Sequence, residues 1–167
     1  MDFNFTDEQQ LLAETVRRFV REHYSFEARR EILKSKQGWS RDLWQQLAGL
    51  GLTALNVPDA HGGLGGGPVD TMLVMNALGE GLVLEPYLSA AIITPALLNR
   101  IEDEKAAADL MPAIAAGERI VILAHQEPKT RGELNHVATR AEKSGDSYVL
   151  DGHKNVVMLY GDRKSVV

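Results

Sequence analysis

Residues 57–67 read Val57-Pro58-Asp59-Ala60-His61-Gly62-Gly63-Leu64-Gly65-Gly66-Gly67 and separate two helical patterns. Before this run, Ser40 is placed to cap a helix and Gly51 to end it, and after it Pro68 suits the first position of another helix. The run lacks the lysine of a P-loop, and no strong strand precedes it, as a dinucleotide-binding fingerprint would require. We interpret it as a tight connection whose glycines adopt positive φ, the alternative being a cradle of backbone N–H groups for a phosphate.

The helical patterns around this connection predict an all-α domain over residues 1–117. Its first helix begins with a capping box, in which the side chains of Thr6 and Gln9 serve free backbone N–H groups. Apolar residues at helical spacing on otherwise polar helices indicate the core. The expected core residues are Leu12, Val16, Phe19, Trp44, Leu47, Leu73 and Leu78.

Prolines and glycines set the expected boundaries in the rest of this domain. Pro95 should kink or split a helix that begins at Pro86, because a proline inside a helix removes a hydrogen bond. Residues 53–58 are predicted to be extended. The other helices are expected over residues 25–36, 103–110 and 112–116.

From Glu118 onward the pattern changes to short β-prone runs, which predicts an antiparallel β domain over residues 118–167. The expected strands are residues 119–124, 137–143, 148–150, 154–159 and 165–167. This part is too small to close a sheet, and an unpaired edge invites pairing, so we expect further chain or a partner to cover it. The predicted fold class is therefore α+β, with an N-terminal all-α domain followed by an incomplete antiparallel β domain.

The composition is typical of a globular protein and argues against several other classes of protein. Hydrophobic residues make up 44% of the chain and charged residues 25%, so a packed core is expected. The net charge of −5 gives no basic footprint for nucleic acid, and the lack of cysteine excludes disulfides and thiol chemistry. The acidic start is unlike a signal peptide, and the apolar stretch 88–98 is shorter than the ~20 residues that span a bilayer. We expect a soluble, cytoplasmic protein without nucleic-acid or membrane partners.

Neither a metal centre nor a serine hydrolase site is predicted. The histidines show no i, i+4 pair typical of a helical metal site, and no Gly-x-Ser-x-Gly run occurs. We interpret each histidine as solvated or singly hydrogen-bonded. The five are His23, His61, His125, His136 and His153.

Three motifs, taken in order, carry a resemblance to a known family. They are the glycine run, Gln126-Glu127-Pro128, and Tyr148-Val149-Leu150-Asp151-Gly152-His153-Lys154. Together they resemble the acyl-CoA dehydrogenases, flavoenzymes that desaturate acyl-CoA thioesters. Within this family, the segments 62–68, 113–121 and 150–157 are most similar to the small subunits of pimeloyl-CoA dehydrogenase.

The resemblance implies a set of site residues. Gln126 stands where the family has the threonine of Thr-Glu-Pro against the flavin ring, with His125 before it. In the family's Lys-x-Trp-Ile-Thr-Asn, Val156 replaces the tryptophan that packs on the flavin, and Met158 replaces the threonine that bonds near its reactive nitrogen. A Gly-Ser-Asp that meets flavin and CoA phosphates becomes Arg131-Gly132-Glu133. The implied cofactor contacts are His125, Gln126, Gly132, Val156 and Met158, and the implied substrate contacts are Arg131 and Gly132.

The function implied is FAD-dependent α,β-desaturation of an acyl-CoA, with an electron-transfer acceptor and a homo- or hetero-oligomeric assembly. In the family the catalytic base lies in a C-terminal helical domain, so no catalytic residue is assigned here, and the chain alone is expected to be inactive. Two alternatives remain. One is a non-catalytic small subunit that supports flavin binding or assembly, and the other is an unrelated helical interaction module.

Overall fold

A computed structural model describes residues 4–101, 103–130 and 132–157. The α-helices are α1 (Asp7–His23), α2 (Phe26–Lys34), α3 (Arg41–Gly49), α4 (Pro68–Glu80), α5 (Thr94–Leu98) and α6 (Glu104–Ala115). A 3₁₀ turn covers Asp59–His61, and a π-helix covers Tyr87–Ile93. Strands β1 (Arg140–Ser144) and β2 (Ser147–Asp151) form an antiparallel pair, with Arg140 opposite Asp151 and Ser144 opposite Ser147. The predicted α+β class is confirmed.

The predicted helix starts are confirmed by their hydrogen bonds. The Thr6 hydroxyl accepts from the Gln9 backbone N–H at 3.2 Å, and the Gln9 side chain accepts from the Thr6 N–H at 3.2 Å. Ser40 accepts from the Leu43 N–H at 3.3 Å, and Pro68 occupies the first turn of α4. These caps satisfy donors that a helix cannot satisfy by itself, so short polar sequences fix where α1, α3 and α4 begin.

The core lies between α1, α3 and α4 and continues to α6. Val16, Trp44 and Leu47 are completely buried. Phe19, Leu73 and Leu78 are also buried, and Leu12 packs at the core's margin. The helical spacing therefore identified the apolar faces correctly, because each helix turns one stripe of its surface inward.

The glycine run folds back on the residues that precede it. Its backbone N–H groups donate to carbonyl oxygens of the preceding turn, from Leu64 to Ala54 at 2.9 Å and from Gly66 to Leu55 at 2.7 Å. A Cβ at Gly63 would lie 1.9 Å from the Val57 carbonyl oxygen, so only glycine fits there. These internal bonds favour the tight connection over the phosphate cradle, because the N–H groups are already used.

Two predicted boundaries in the helical part are wrong. Residues 53–58 are a series of turns rather than extended, since Ala54 N–H donates to Gly51 and Leu55 N–H to Leu52. Residues 104–115 form one helix through Pro112 rather than two. Met111 and Ile114 are both fully buried on either side of that proline, and this packing outweighs the one lost backbone bond.

No split is found at Pro95. The π-helix ends at Ile93 and α5 begins at Thr94, both residues have right-handed helical backbone angles, and the helix changes type there without a break. The surface helix predicted over 25–36 is present as α2, which buries no residue.

The β part is sparser than predicted. Among the described residues, 119–124 show a single bridge residue, Ile122, and residues 154–157 are irregular. Val121 and Ile122 are buried against the helices, so their apolar side chains belong to the core. The rest of the fourth expected strand and all of the fifth lie outside the described residues. The domain division at 117/118 stays a prediction.

Candidate functional site

A cleft of about 290 Å³ opens between the π-helix and the irregular segments on either side of the hairpin. Its lining residues are Ser89, Ile93, Leu123, His125, Gln126, Leu134 and Val156. Three of the five residues that the resemblance assigned to the cofactor, His125, Gln126 and Val156, thus meet at one place. Gly132 does not line the cleft, and Arg131 and Met158 lie outside the described residues. Their roles as cofactor and substrate contacts stay predictions.

One backbone and one side-chain contact hold together the two irregular segments that line the cleft. The Asn155 N–H donates to the Gln126 carbonyl oxygen at 2.9 Å, which sets Val156 beside the 125–126 segment. The Nε2 of His125 lies 3.0 Å from the Leu134 carbonyl oxygen. An imidazole N–H donating to that carbonyl would leave the other ring nitrogen, Nδ1, as an acceptor.

Val156 adopts φ = 48°, in the left-handed region that β-branched residues rarely enter. Such a conformation costs on the order of 1–3 kcal/mol and persists where the surroundings impose it. Next to it, the buried Oδ1 of Asn155 has no hydrogen-bond partner among the described residues. Strain and an unsatisfied polar atom at adjacent positions are features that cluster at binding sites.

The Glu127 carboxylate is buried under this wall and receives four hydrogen bonds. The donors are the N–H of Ala138 at 2.7 Å, the N–H and hydroxyl of Thr139 at 3.1 and 2.6 Å, and the Lys154 ammonium at 2.7 Å. The Lys154 ammonium, the Thr139 hydroxyl and the Ala138 N–H hold the pKa of the Glu127 carboxyl well below its usual range. A carboxylate so fully engaged is a poor proton acceptor, which agrees with the assignment of no catalytic base to Glu127.

The helical wall of the cleft was not found from the sequence. Ser89 and Ile93 lie on the π-helix, whose last i−5 bond runs from the Thr94 N–H to the Ser89 carbonyl oxygen. The buried Thr94 hydroxyl lies 2.7 Å from the Val121 carbonyl oxygen and 3.0 Å from that of Ser89, and its single hydrogen serves one of them. The only sequence signal was the pair of flanking prolines, Pro86 and Pro95. π-Helical turns are rare in proteins as a whole, and those that occur are often found at functional sites.

The cleft has room for a ring system but not for an entire dinucleotide. Its volume is at the lower end of small-molecule sites, which run from ~300 Å³. Ile93, Leu123, Leu134 and Val156 supply apolar walls, while Gln126 supplies both a donor and an acceptor. The residues present therefore fit the isoalloxazine ring of a flavin.

Two other classes of site find no support. No group of three or more potential metal-ligating side chains occurs within 4–101, 103–130 and 132–157. Over the same ranges, no helix has the length and apolar character needed to cross a membrane.

A model of the acyl-CoA dehydrogenase N-terminal domain matches residues 6–118. The chain belongs to the acyl-CoA dehydrogenase family. The mitochondrial isovaleryl-CoA dehydrogenase of Bos taurus is 32% identical over 151 residues, which cover 89% of this chain and 35% of that protein. The present chain thus spans about a third of the length of this bovine relative.

Solved structures agree with this assignment. The ChsE4–ChsE5 complex from Mycobacterium tuberculosis matches with a TM-score of 0.77 and 28% identity, over 91% of this chain and 40% of that one. PigA with FAD and proline matches with a TM-score of 0.73 and 26% identity, over 91% and 40% of the two chains. FAD, the cofactor expected from the sequence, is therefore bound in a structure similar to this one. The closer likeness to pimeloyl-CoA dehydrogenase small subunits stays a prediction.

Proposed function

We propose that this chain is the N-terminal helical part, with the start of the β domain, of an FAD-dependent acyl-CoA dehydrogenase that desaturates an acyl-CoA thioester. The observation that carries the proposal is the meeting of His125, Gln126 and Val156 at one cleft opposite the π-helix. These positions were assigned to the flavin from two separate sequence motifs, the Gln126-Glu127-Pro128 turn and the run that begins at Lys154. A helical interaction module would give no reason for them to converge.

The residues of this chain would hold and orient the flavin ring. Apolar contacts from Ile93, Leu123 and Val156 would exclude water from its faces, and Gln126 would hydrogen-bond its polar edge. When bound, the flavin supplies the acceptor for a hydride from the acyl β-carbon. Removal of the α-proton needs a carboxylate base, and none lines the cleft within the described residues.

The proposed assembly has three further components. An acyl-CoA would be the substrate, and an electron-transfer acceptor would reoxidise the flavin. A homo- or hetero-oligomer would complete the structure. A cytoplasmic location stays a prediction from the absence of cysteine.

A non-catalytic small subunit is the second candidate. Val156 lacks the aromatic face that usually packs on the flavin, and Gln126 replaces the usual threonine. A similar solved structure is a complex of two different chains, ChsE4 and ChsE5. In this reading the chain supports flavin binding or assembly, and a partner supplies the catalytic base.

Titration of the purified chain with FAD tests flavin binding, which both candidate functions require. Binding should perturb the visible flavin spectrum, and Leu134→Asp should weaken it, because a charge on the cleft wall opposes an apolar ring. Val137→Asp is the matched control, since that residue is also exposed, at 57% against 82% for Leu134, but does not line the cleft. Equal binding by both variants, or none by the unaltered chain, would reject the flavin site.

Reduction of the bound flavin by acyl-CoA then separates the two candidates. Turnover by an assembly built only from complete copies of this protein supports the catalytic reading. Turnover that appears only when a second, different chain supplies the catalytic base supports the small-subunit reading.

A further inference from the structure

We infer that Glu127 is a positioning residue, whose carboxylate fixes Gln126 and Val156 relative to each other by holding Lys154 and the backbone of residues 138–139. The inference deepens the proposed function and rests on it, because the cleft is the place where the flavin ring would bind. Glu127 itself does not line the cleft. Its effect would reach the ring only through the segments that it holds.

The first support is the completeness of the bonding around the carboxylate. The Oε1 atom accepts from Thr139 N–H, Thr139 hydroxyl and Lys154, and Oε2 accepts from Ala138 N–H. Each carboxylate oxygen offers two lone-pair sites, so Oε1 is fully used and Oε2 keeps one site. The side chain is only 5% exposed, so water does not replace these donors. The carboxylate therefore links three separate chain segments.

The second support is a short route from this carboxylate to the cleft. Lys154 lies 2.7 Å from Glu127 Oε1 and its Nζ also reaches the His125 carbonyl oxygen at 3.5 Å. The next residue, Asn155, donates its N–H to the Gln126 carbonyl oxygen, and the residue after that is Val156. Movement of Lys154 would therefore displace a cleft residue two positions away.

The third support is that the same segment is packed tightly from its other side. A Cβ at Gly152 would lie 2.4 Å from the Thr139 hydroxyl oxygen, so the backbone of Gly152 lies directly against Thr139. Thr139 is itself bonded to Glu127. The Gly152 contact therefore joins the chain that leads to Val156 to the group of residues bonded to Glu127.

The turn that presents Glu127 is rigid for a local reason. The buried Thr130 hydroxyl donates to the Glu127 carbonyl oxygen at 2.9 Å, and the Thr130 N–H donates to the same oxygen at 3.1 Å. This turn fixes the direction in which the Glu127 side chain leaves the backbone. The adjacent Gln126 is thereby placed at the cleft.

The test compares three variants with a matched control in the full chain. Glu127→Gln removes the charge, Lys154→Met removes the ammonium but keeps an unbranched apolar stem, and Thr139→Val removes one hydroxyl bond with little change of shape. Glu142→Gln is the control, because it removes an exposed carboxylate on β1. Lys154→Arg should retain most of the function, since a guanidinium can also donate to a carboxylate.

FAD affinity is the first readout. We expect Glu127→Gln and Lys154→Met each to weaken FAD binding about tenfold or more, as loss of a charge-assisted hydrogen bond does. The double variant that combines Glu127→Gln with Lys154→Met should bind FAD no more weakly than Glu127→Gln alone, because both changes remove the same link. Glu142→Gln should bind FAD with unchanged affinity. All the variants should keep the helical content of the unaltered chain, measured by circular dichroism. Wild-type affinity in all three variants would overturn the inference.

Amide resonances of Gln126 and Val156, recorded without flavin, are the second readout. They should shift in Glu127→Gln and Thr139→Val but not in Glu142→Gln. If the unaltered chain fails to bind FAD, the proposed function fails, and these resonances alone decide the positioning role. Unshifted resonances at Gln126 and Val156 would overturn it, whether or not FAD binds.

Discussion

The indole Nε1 of Trp44 donates a 2.9 Å hydrogen bond to the carbonyl oxygen of Gly117. The Gln45 side chain donates to the same oxygen at 2.8 Å, so α3 is tied to the turn that follows α6. Gly117 has φ = 70°, and a Cβ there would lie 2.4 Å from the Ala48 methyl carbon. This contact joins the helical core to the point where the sequence pattern changes from helical to β.

Gly117→Ala should destabilise the chain more than Gly38→Ala. Both glycines have φ near 70°, and a left-handed conformation costs an L-residue ~1–2 kcal/mol. At Gly38 no atom lies within 4 Å of the new Cβ, whereas at Gly117 the methyl group meets Ala48. Urea unfolding of the two variants isolates the steric part as their difference. Equal midpoints would contradict the close approach of α3 to Gly117.

Leu47→Ala and Phe19→Ala should each lower the free energy of unfolding by ~2–5 kcal/mol, as large-to-small core changes do. Leu47 is fully buried, and Phe19 is nearly so. Leu11→Ala is the control, because Leu11 on α1 is 70% exposed. Denaturant midpoints equal to that of the unaltered chain would show that these helices pack differently.

The purified chain alone should not turn over acyl-CoA. The cleft has no carboxylate among its lining residues in the described part of the chain, and Glu127 is held by four donors away from the cleft. Absence of a general base typically costs ~10²–10⁴-fold in rate. The measurement is reduction of a dye acceptor by the FAD-loaded chain, with bovine isovaleryl-CoA dehydrogenase as the positive control. A rate comparable to that control would refute this prediction.

The hairpin should mediate association, with a second copy or with another part of an acyl-CoA dehydrogenase assembly. All ten residues of β1 and β2 are exposed, including Tyr148, Val149 and Leu150. A two-stranded hairpin is only marginally stable alone, and its free edges invite pairing.

Light scattering over a dilution series measures this association. Leu150→Lys should shift the series towards monomer, while Leu11→Lys, at an equally exposed position on α1, should not. A monodisperse monomer at all concentrations, with no added protection of the 138–157 amides on concentrating, would disprove the prediction.

The contacts of Glu127 should survive mild acid. Its folded-state pKa lies below the ordinary glutamate value of 4.5, chiefly because of the Lys154 ammonium. A lowered pKa means that the carboxylate contributes stability above pH 4.5 and loses it only as the pH falls through the folded-state value. The amide shifts of Ala138 and Thr139 should therefore titrate with a midpoint well below 4.5. A midpoint at or above 4.5 would contradict the observed bonding.

The sequence predicted the helix starts correctly, because residues close together in the chain decide them. The capping box at Thr6, the cap at Ser40 and the proline start of α4 depend on atoms three or four residues apart. Such short-range bonds satisfy helix ends whatever the rest of the fold does. The same reasoning failed at Pro112, where burial of Met111 and Ile114 carries α6 through a residue that usually ends a helix.

The candidate site was predictable only in part. The sequence motifs named His125, Gln126 and Val156, but they could not show that Ser89 and Ile93 form the opposite wall. A π-helix has no reliable sequence signature, because it differs from an α-helix only in hydrogen bonds that span five residues instead of four.

By itself, the sequence determined the family, the α+β class, the helix starts and the apolar faces, since these follow from local bonding and periodic burial. Only the tertiary structure decided the cleft, the left-handed Val156 and the four bonds to Glu127. Lys154 and Glu127 are 27 residues apart, and Trp44 and Gly117 are 73 apart. Pairings at such separations depend on how whole elements pack, which no local propensity encodes.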